Sequence, residues 1–155
     1  MIKEHIYNLT VEWTGNRGDG TIDFRSYGRE HKIWADDKVE IEATSDPAFR
    51  GDKTKYNPEE FLVASLSSCH MLWFLHLCAD NGVVVVDYID KPVGIMLETE
   101  DGGGRFQEVR LVPTITVTDI SMADKIDELH KRANGLCFIA NSVNFPVYHQ
   151  SKVLY

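Results

Sequence analysis

The feature that most constrains this chain is an uncharged run, residues 61–78, which is bounded by signals for both ends of a helix. Asn57 is a good helix N-cap, Pro58 suits the first helical position, and Gly82 is a natural stop after the last turn. Two glutamates after Pro58 complement the positive end of the helix dipole. Apolar side chains cover nearly every face of the run, so we predict a helix that lies inside the protein.

Cys69 lies near the centre of this predicted helix, in a segment of mostly small and polar residues, 65–70. A buried free cysteine most often packs as a small apolar residue, so its position alone does not indicate chemistry. A small polar segment in an otherwise apolar helix, however, is typical of a pocket floor. A second cysteine, Cys137, follows another predicted helix, and residues 138–142 form a second short polar break in an apolar stretch.

Length and charge narrow the class of protein. The 155 residues, of which 43% are hydrophobic, fit one globular domain over 1–155 with a full core. The net charge of -8 argues against a nucleic-acid partner, because phosphate contacts need clustered lysine and arginine. We therefore expect a single domain that does not bind nucleic acid.

The sequence also predicts a cytoplasmic protein without a membrane partner. Residues 1–10 contain charges and lack the apolar centre of a signal peptide, and Ser, Cys and His interrupt the long apolar run. Three cysteines, an odd number, indicate thiols that stay reduced or cycle, rather than a structural disulfide framework.

The order of the predicted elements gives an α+β domain. Ser121, with Asp124 three residues later, resembles a capping box that opens a second helix over 122–136. Pro113 lies within a predicted strand and indicates an edge or a bulge. Alternating and β-branched residues predict strands at 6–13, 21–27, 33–41, 83–86, 93–99, 106–117 and 145–155.

Four potential metal ligands, Cys69, His70, His76 and Cys78, lie within the long helix. Cys69 and His76 are about 10 Å apart along the helix axis, too far to share a zinc ion bound at about 2 Å. His70 points about 100° away from Cys69. We therefore predict no metal site and no bound cofactor, and we assign Cys78 a structural role.

One stretch of the chain resembles a known family motif. The motif around the first redox cysteine of the OsmC/Ohr family, the osmotically inducible and organic hydroperoxide resistance proteins, is similar to residues 57–69, NPEEFLVASLSSC. Cys137 follows the late helix, where that family places its second cysteine, and Trp13-Thr14-Gly15 matches its first hairpin. The resemblance implies an OsmC-like fold, with antiparallel sheets around a long buried central helix in an intertwined homodimer.

The resemblance also implies a thiol-dependent peroxidase. Cys69, as a thiolate, attacks the peroxide O–O bond and becomes a sulfenic acid, and Cys137 resolves it as a disulfide. A dithiol, possibly of the lipoyl type, is the implied reductant. Departures from the family pattern are His70 directly after the first cysteine and Phe138 directly after the second.

A thiolate in an apolar helix needs a nearby cation, because desolvation alone raises the pKa of a cysteine. Family members use an arginine from the first hairpin, paired with the glutamate of the Asn-Pro-Glu motif, and Arg17 and Glu59 occupy those places here. The competing arginines are Arg25, Arg29 and Arg50.

Glu59 and Cys69 lie about 15 Å apart along a straight helix. A shared site therefore requires either a break in the helix or a second subunit. The all-round apolar helix favours the homodimer.

An apolar lining around Cys69 is expected to favour organic hydroperoxides over hydrogen peroxide, because each methylene of an alkyl tail gains about 0.8 kcal/mol on burial. The expected lining residues are Phe61, Leu62, Leu72, Trp73 and Phe138.

Two other classes of function fit the same residues. A binding module would hold a small apolar ligand in this pocket, with cysteines that merely pack. A cysteine hydrolase would use Cys69 with His70, His76 or His130 as its base, and would not depend on Cys137.

Overall fold

The computed structural model describes residues 2–155, and in that range it contains nine strands and two α-helices. This confirms the α+β class that the sequence predicts. Two compact units divide the chain at the boundary between Phe61 and Leu62.

A three-stranded antiparallel sheet forms the N-terminal unit. Its strands are β1 (Thr10–Trp13), β2 (His31–Trp34) and β3 (Ile41–Ala43), in that spatial order. β1 is the C-terminal half of the strand predicted over 6–13. The indole N–H of Trp13 donates to the Gly28 carbonyl at 2.9 Å and so ties β1 to the end of the loop that leads into β2.

Two strand predictions in this unit are wrong. Residues 21–27 form turns and bends, because side chains satisfy the local backbone: Asp23 Oδ1 accepts the N–H of Arg25 at 2.6 Å, and the Ser26 hydroxyl oxygen accepts the N–H of Asp23 at 3.2 Å. The strand predicted over 33–41 is interrupted at Asp37, whose φ of 62° lies in the left-handed region. The chain reverses there, so that β2 and β3 pair with each other as a hairpin.

The long helix, α1 (Pro58–Asp80), has the ends that the sequence predicts. Asn57 Oδ1 accepts the N–H of Glu60 at 2.8 Å, and the Glu60 carboxylate accepts the N–H of Asn57 at 3.1 Å, which is a reciprocal capping box. Gly82, with a φ of 69°, follows the last turn.

α1 buries one stripe of its surface rather than every face. Its length and a mean hydropathy of 1.5 would by themselves also suit a membrane span. In the fold its buried side chains pack in the core of residues 62–155, whereas Leu72 is 63% exposed. The sequence predicts that the whole helix lies inside the protein, but only one stripe of it is buried. This stripe consists of Leu66, His70, Phe74, Leu77 and Cys78.

Two three-stranded sheets build the C-terminal unit. The first has the order β4 (Val85–Asp90), β7 (Pro113–Val117) and β9 (Lys152–Leu154). The second has the order β5 (Val93–Glu98), β6 (Gly104–Leu111) and β8 (Val147–His149). The β4–β7 and β5–β6 pairs are antiparallel, as the family resemblance implies, while β8 and β9 add parallel pairs.

The strand predicted over 106–117 is in fact two strands, because the chain changes sheet at Val112, just before Pro113. Asp90 fixes this break: Oδ1 accepts the N–H of Val112 at 2.7 Å, and Oδ2 accepts the hydroxyl of Ser67 on α1 at 2.5 Å. The strand predicted over 145–155 is likewise divided, into β8 and β9.

The second helix, α2 (Ile126–Leu136), follows a 3-10 turn at Ile120–Lys125. The predicted capping box of Ser121 and Asp124 is wrong, because the cap comes from Asp119, whose carboxylate accepts the N–H of Ser121 at 2.8 Å. The prediction is correct in placing Cys137 directly after a helix.

Two apolar clusters form the core of residues 62–155. The first joins Phe74, Leu77 and Cys78 of α1 to the buried face of α2 and to β7. The second joins Leu66 of α1 to β6 and to the segment around residues 139–147. Residues 69 and 70 therefore lie on α1 between the parts that enter the two clusters.

Candidate active site

The side chains of Cys69 and Cys137 lie within interaction range of each other, because Cys69 is one of the groups that raise the pKa of Cys137. Cys69 projects from the middle of α1, and Cys137 is the residue at which α2 ends. Cys69 is half-buried, whereas Cys137 is buried. Both are free cysteines.

Burial and the neighbouring thiol keep Cys137 protonated. Desolvation raises the pKa of Cys137 to about 11, and its side-chain interaction with Cys69 adds to the shift. The N–H of Ala140 donates to Cys137 Sγ at 3.4 Å and acts in the opposite direction. At neutral pH, Cys137 is therefore a neutral thiol, and Cys69 is the sulfur of the pair that solvent can reach.

Trp73 and Phe138, which are close in sequence to Cys69 and Cys137, form an aromatic pair that we call the aromatic wall. Their ring centroids are 5.7 Å apart and their planes meet at 85°, an edge-to-face contact. Trp73 lies one helical turn after Cys69, and Phe138 directly follows Cys137. Phe138 is 66% exposed, so the wall is open to solvent.

The other expected lining residues occupy different surroundings. Leu62 packs in the second apolar cluster with Leu66. Leu72 is largely exposed. In the N-terminal unit, the ring of Phe61 contacts Tyr56, with centroids 5.9 Å apart.

Arg17 and Glu59 belong to the N-terminal unit. The Arg17 guanidinium lies 3.7 Å from the Glu30 carboxylate in an exposed ion pair. Glu59 is half-buried in the first turn of α1. By contrast, the guanidinium of the competing Arg29 donates to two carbonyls and stacks 4.0 Å from the Tyr27 ring centroid, so its own loop holds it.

The strongest buried polar feature of the C-terminal unit is a stack of three histidines, which we call the histidine cluster: His70 of α1, His130 of α2 and His149 of β8. His70 Nε2 and His130 Nδ1 form a buried hydrogen bond of 2.8 Å. The outer nitrogens of this pair, His70 Nδ1 and His130 Nε2, are buried without a hydrogen-bond partner.

The histidine cluster is uncharged at neutral pH. Burial lowers the pKa of His70 to about 4 and that of His130 to about 3, and the neighbouring imidazoles act in the same direction. Burial also lowers the pKa of His149. Within residues 2–155, no three His, Cys, Asp or Glu side chains are grouped so that they could hold a metal ion.

The sequence pattern does not predict this cluster. From the sequence, His70 and His130 are candidate bases of a hydrolase, His70 is also a potential metal ligand, and His149 carries no expectation. The one available signal was a histidine in the middle of an apolar helix, which indicates that His70 needs a buried partner. Nothing in the local pattern identifies residues 130 and 149 as its neighbours.

A protein-family comparison matches this chain to the family described as OsmC-like protein, over residues 50–151, which is more than half of its length. The chain gives no significant match to a curated protein sequence.

Solved structures match the whole chain. An OsmC-like protein of unknown function from Vibrio cholerae has 31% sequence identity and a TM-score of 0.84, with 97% of this chain and 99% of that chain covered. An organic hydroperoxide resistance protein from Elizabethkingia anophelis has 18% identity and a TM-score of 0.68, with 97% and 98% covered. One from Legionella pneumophila has 17% identity and the same TM-score, with 98% and 100% covered.

The histidine cluster predicts acid sensitivity. Unfolded histidines titrate near pH 6.5, but in the folded protein His70 and His130 bind protons only near pH 4 and pH 3, so the unfolded state takes up more protons as the pH falls between these values. The free energy of unfolding should therefore decrease from pH 7 towards pH 4, by up to about 1.4 kcal/mol per pH unit for each histidine. Urea unfolding at a series of pH values measures this slope.

His130→Leu should flatten the slope, whereas His5→Leu, at an exposed position, should leave it as in the wild type. Equal slopes in the wild type and in His130→Leu would contradict the prediction.

Proposed function

Because this chain belongs to the OsmC-like protein family, we propose that it is a thiol-dependent peroxidase that reduces organic hydroperoxides through Cys69 and Cys137. The observation that carries the proposal is that these two side chains lie within interaction range of each other, although Cys69 is on α1 and Cys137 follows α2, 68 positions later. A two-cysteine peroxidase needs a reachable sulfur for the peroxide and a second sulfur beside it, and this pair has both.

In the first step, the Cys69 thiolate attacks the terminal oxygen of the hydroperoxide. The O–O bond breaks, a sulfur–oxygen bond forms, and the alcohol leaves after taking up a proton. The sulfur of Cys69 is oxidised by two electrons to a sulfenic acid. The partial exposure of Cys69 on α1 supports its role as the attacking sulfur.

In the second step, the Cys137 sulfur attacks the sulfenic sulfur of Cys69. A sulfur–sulfur bond forms, the sulfur–oxygen bond breaks, and the hydroxyl leaves as water with the thiol proton of Cys137. The Cys137 thiol gives up its proton as its sulfur attacks, and the position of this side chain within interaction range of Cys69 supports its role. A small dithiol, possibly of the lipoyl type, then reduces the disulfide.

The aromatic wall supports an organic rather than an inorganic peroxide. Trp73 and Phe138 offer apolar contact area next to the sulfurs, and each buried methylene of a substrate tail contributes about 0.8 kcal/mol. Solved structures of the same fold include proteins named for organic hydroperoxide resistance, which agrees with this substrate class. Leu62, Leu72 and Phe61 are the further proposed contacts.

We assign Arg17 the role of the cation that stabilises the Cys69 thiolate, and Glu59 the role of its carboxylate partner. The ion pair of Arg17 with Glu30 supports the assignment. It is the only ion pair of Arg17 within residues 2–155, and it is long and exposed, so the guanidinium is free to change partners. Such a cation lowers the pKa of a cysteine and raises its thiolate fraction.

We propose that the protein acts as a cytoplasmic homodimer. Large apolar side chains are exposed in both units, among them Val11 of β1, Leu72 of α1 and Leu97 of β5, and a second copy would cover such surface. A reducing cytoplasm would regenerate the free thiols.

The hydrolase alternative receives less support from the geometry. Among its candidate bases, His70 and His130 hydrogen-bond to each other, and His76 pairs with Asp80 at 3.5 Å. A binding module remains the second reading of the same apolar surface, and consumption of peroxide separates it from the proposed enzyme.

Cys137→Ser should abolish steady-state reduction of cumene hydroperoxide with a dithiol, because the sulfenic acid at Cys69 has no resolving thiol. Cys78→Ala should retain turnover, since Cys78 packs in the first apolar cluster. Peroxide consumption measures turnover, and mass spectrometry of the wild type should find a disulfide between residues 69 and 137. A Cys137→Ser protein with wild-type turnover would contradict the two-cysteine mechanism.

Arg17→Gln should slow the oxidation of Cys69 by peroxide on the order of 10-fold or more, because a desolvated thiol without its cation loses thiolate at neutral pH. Arg25→Gln is the matched control in the same loop and should react as the wild type does. Rapid mixing with a stoichiometric amount of peroxide gives the rate. Equal rates for Arg17→Gln and the wild type would remove Arg17 from the mechanism.

The homodimer predicts a sedimentation mass of about twice the chain mass of 17.6 kDa. Leu72→Glu places a charge on the exposed apolar side of α1 and should shift the protein towards the monomer. A wild-type monomer at micromolar concentration would contradict the proposed assembly.

A further inference from the structure

We propose that the hydrogen bond between His70 and His130 holds Cys137 against Cys69, so that these two histidines are positioning residues for disulfide formation. The proposal rests on the proposed function and adds residues that the two-cysteine chemistry itself does not require.

The cysteine pair and the histidine pair both connect α1 to α2 or to its C-terminal end. His70 directly follows Cys69 on α1, and His130 precedes Cys137, the residue at which α2 ends, by seven residues. Seven residues are about two helical turns, so His130 lies about 10 Å along α2 from Cys137. The hydrogen bond and the cysteine pair therefore connect α1 to α2 and its C-terminal end at two separate points, and two points fix the position of α2 along α1.

A buried histidine pair is an expensive way to pack two helices. Each imidazole is almost fully buried, and each leaves one nitrogen without a partner. Apolar side chains would fill the same space without that cost, as they do in the adjacent cluster of Phe74, Leu129 and Ala133. Packing that is locally less stable than an apolar alternative is expected at functional sites.

A hydrogen bond has a preferred distance and direction, whereas apolar contacts do not. The imidazole rings of His70 and His130 are nearly parallel, at 7°, and the ring of Phe74 stacks on His130 with centroids 3.9 Å apart. The His70–His130 bond at 2.8 Å thus fixes how far α2 can slide or rotate along α1.

Disulfide formation is sensitive to such a shift. The Cys137 sulfur must reach the sulfenic sulfur of Cys69 in line with the leaving hydroxyl, and misplacement of reacting atoms by about 1 Å can cost on the order of 100-fold in rate. The first step is different, because the peroxide reacts at Cys69 of α1 and the Cys137 sulfur takes no part in it. The histidine pair should therefore act on the second step alone.

The test separates the two steps in single turnovers. Reduced protein is mixed with one equivalent of cumene hydroperoxide and quenched at intervals. Dimedone traps the sulfenic acid at Cys69, and mass spectrometry quantifies this adduct and the 69–137 disulfide. His130→Leu should form the sulfenic acid at the wild-type rate and the disulfide more slowly, by roughly 10-fold to 100-fold.

His130→Asn is the rescue variant, because its side-chain amide lies near the position of Nδ1 and can restore the bond to His70. It should form the disulfide faster than His130→Leu. His5→Leu, at an exposed position, controls for a histidine-to-leucine change as such and should match the wild type in both steps.

Disulfide formation in His130→Leu at the wild-type rate would overturn the proposal. Equally slow closure in His130→Asn and His130→Leu would also overturn it, since the effect would then be one of packing. If His130→Leu does not fold, His70→Gln and His70→Leu make the same comparison from the α1 side, because the glutamine amide lies near Nε2.

If the protein is not a peroxidase, the result is different, because the wild type will form no sulfenic acid with cumene hydroperoxide. Closure of the 69–137 disulfide by the thiol oxidant diamide still tests the positioning role in that case. The wild type and His130→Asn should close faster than His130→Leu, and equal rates for all three would overturn the proposal.

Discussion

Burial of one stripe of α1 is the interaction on which the packing of residues 62–155 depends. Leu66 enters one apolar cluster, and Phe74 and Leu77 enter the other. Full burial of such side chains contributes roughly 1.5–3 kcal/mol each. Both clusters include side chains of α1, so this one helix sets the positions of α2, β6 and β7. The positions of the candidate site residues follow from the same packing.

The site occupies the polar interval between these clusters. Cys69 and His70 lie on α1 between its two apolar contacts, and their partners Cys137 and His130 come from α2. A dry environment keeps the second thiol and the imidazoles uncharged, as their shifted pKa values indicate. The apolar packing that stabilises the domain therefore also sets the protonation of these buried groups.

Local signals in the sequence are sufficient for the parts of the fold that local contacts decide. The capping box at Asn57 and the stop at Gly82 act within one helical turn, so the ends of α1 are predictable. The reversal at Asp37 is not, because its left-handed backbone depends on the pairing of β2 with β3. The sheet change before Pro113 likewise depends on distant partners of β6 and β7.

The same distinction applies to the site. The motif around Cys69 drew attention to α1, and the family resemblance supplied Cys137 as its partner. The histidine cluster joins positions 70, 130 and 149 through tertiary packing, which leaves no periodic pattern in the sequence. Burial of Leu62 in a cluster, and exposure of Leu72, also follow from which side of α1 the sheets cover.

The chain crosses between the two C-terminal sheets four times, and three of these crossings, at residues 91–92, at Val112 and at residues 150–151, are only one or two residues long. At Val112 the Asp90 carboxylate accepts hydrogen bonds from the backbone and from Ser67 of α1. On either side of residues 150–151, β8 and β9 each pair with the central strand of a different sheet. Neither sheet can open without pulling on the other, so the pair should behave as one cooperative foldon in which fraying of the final strands is shared.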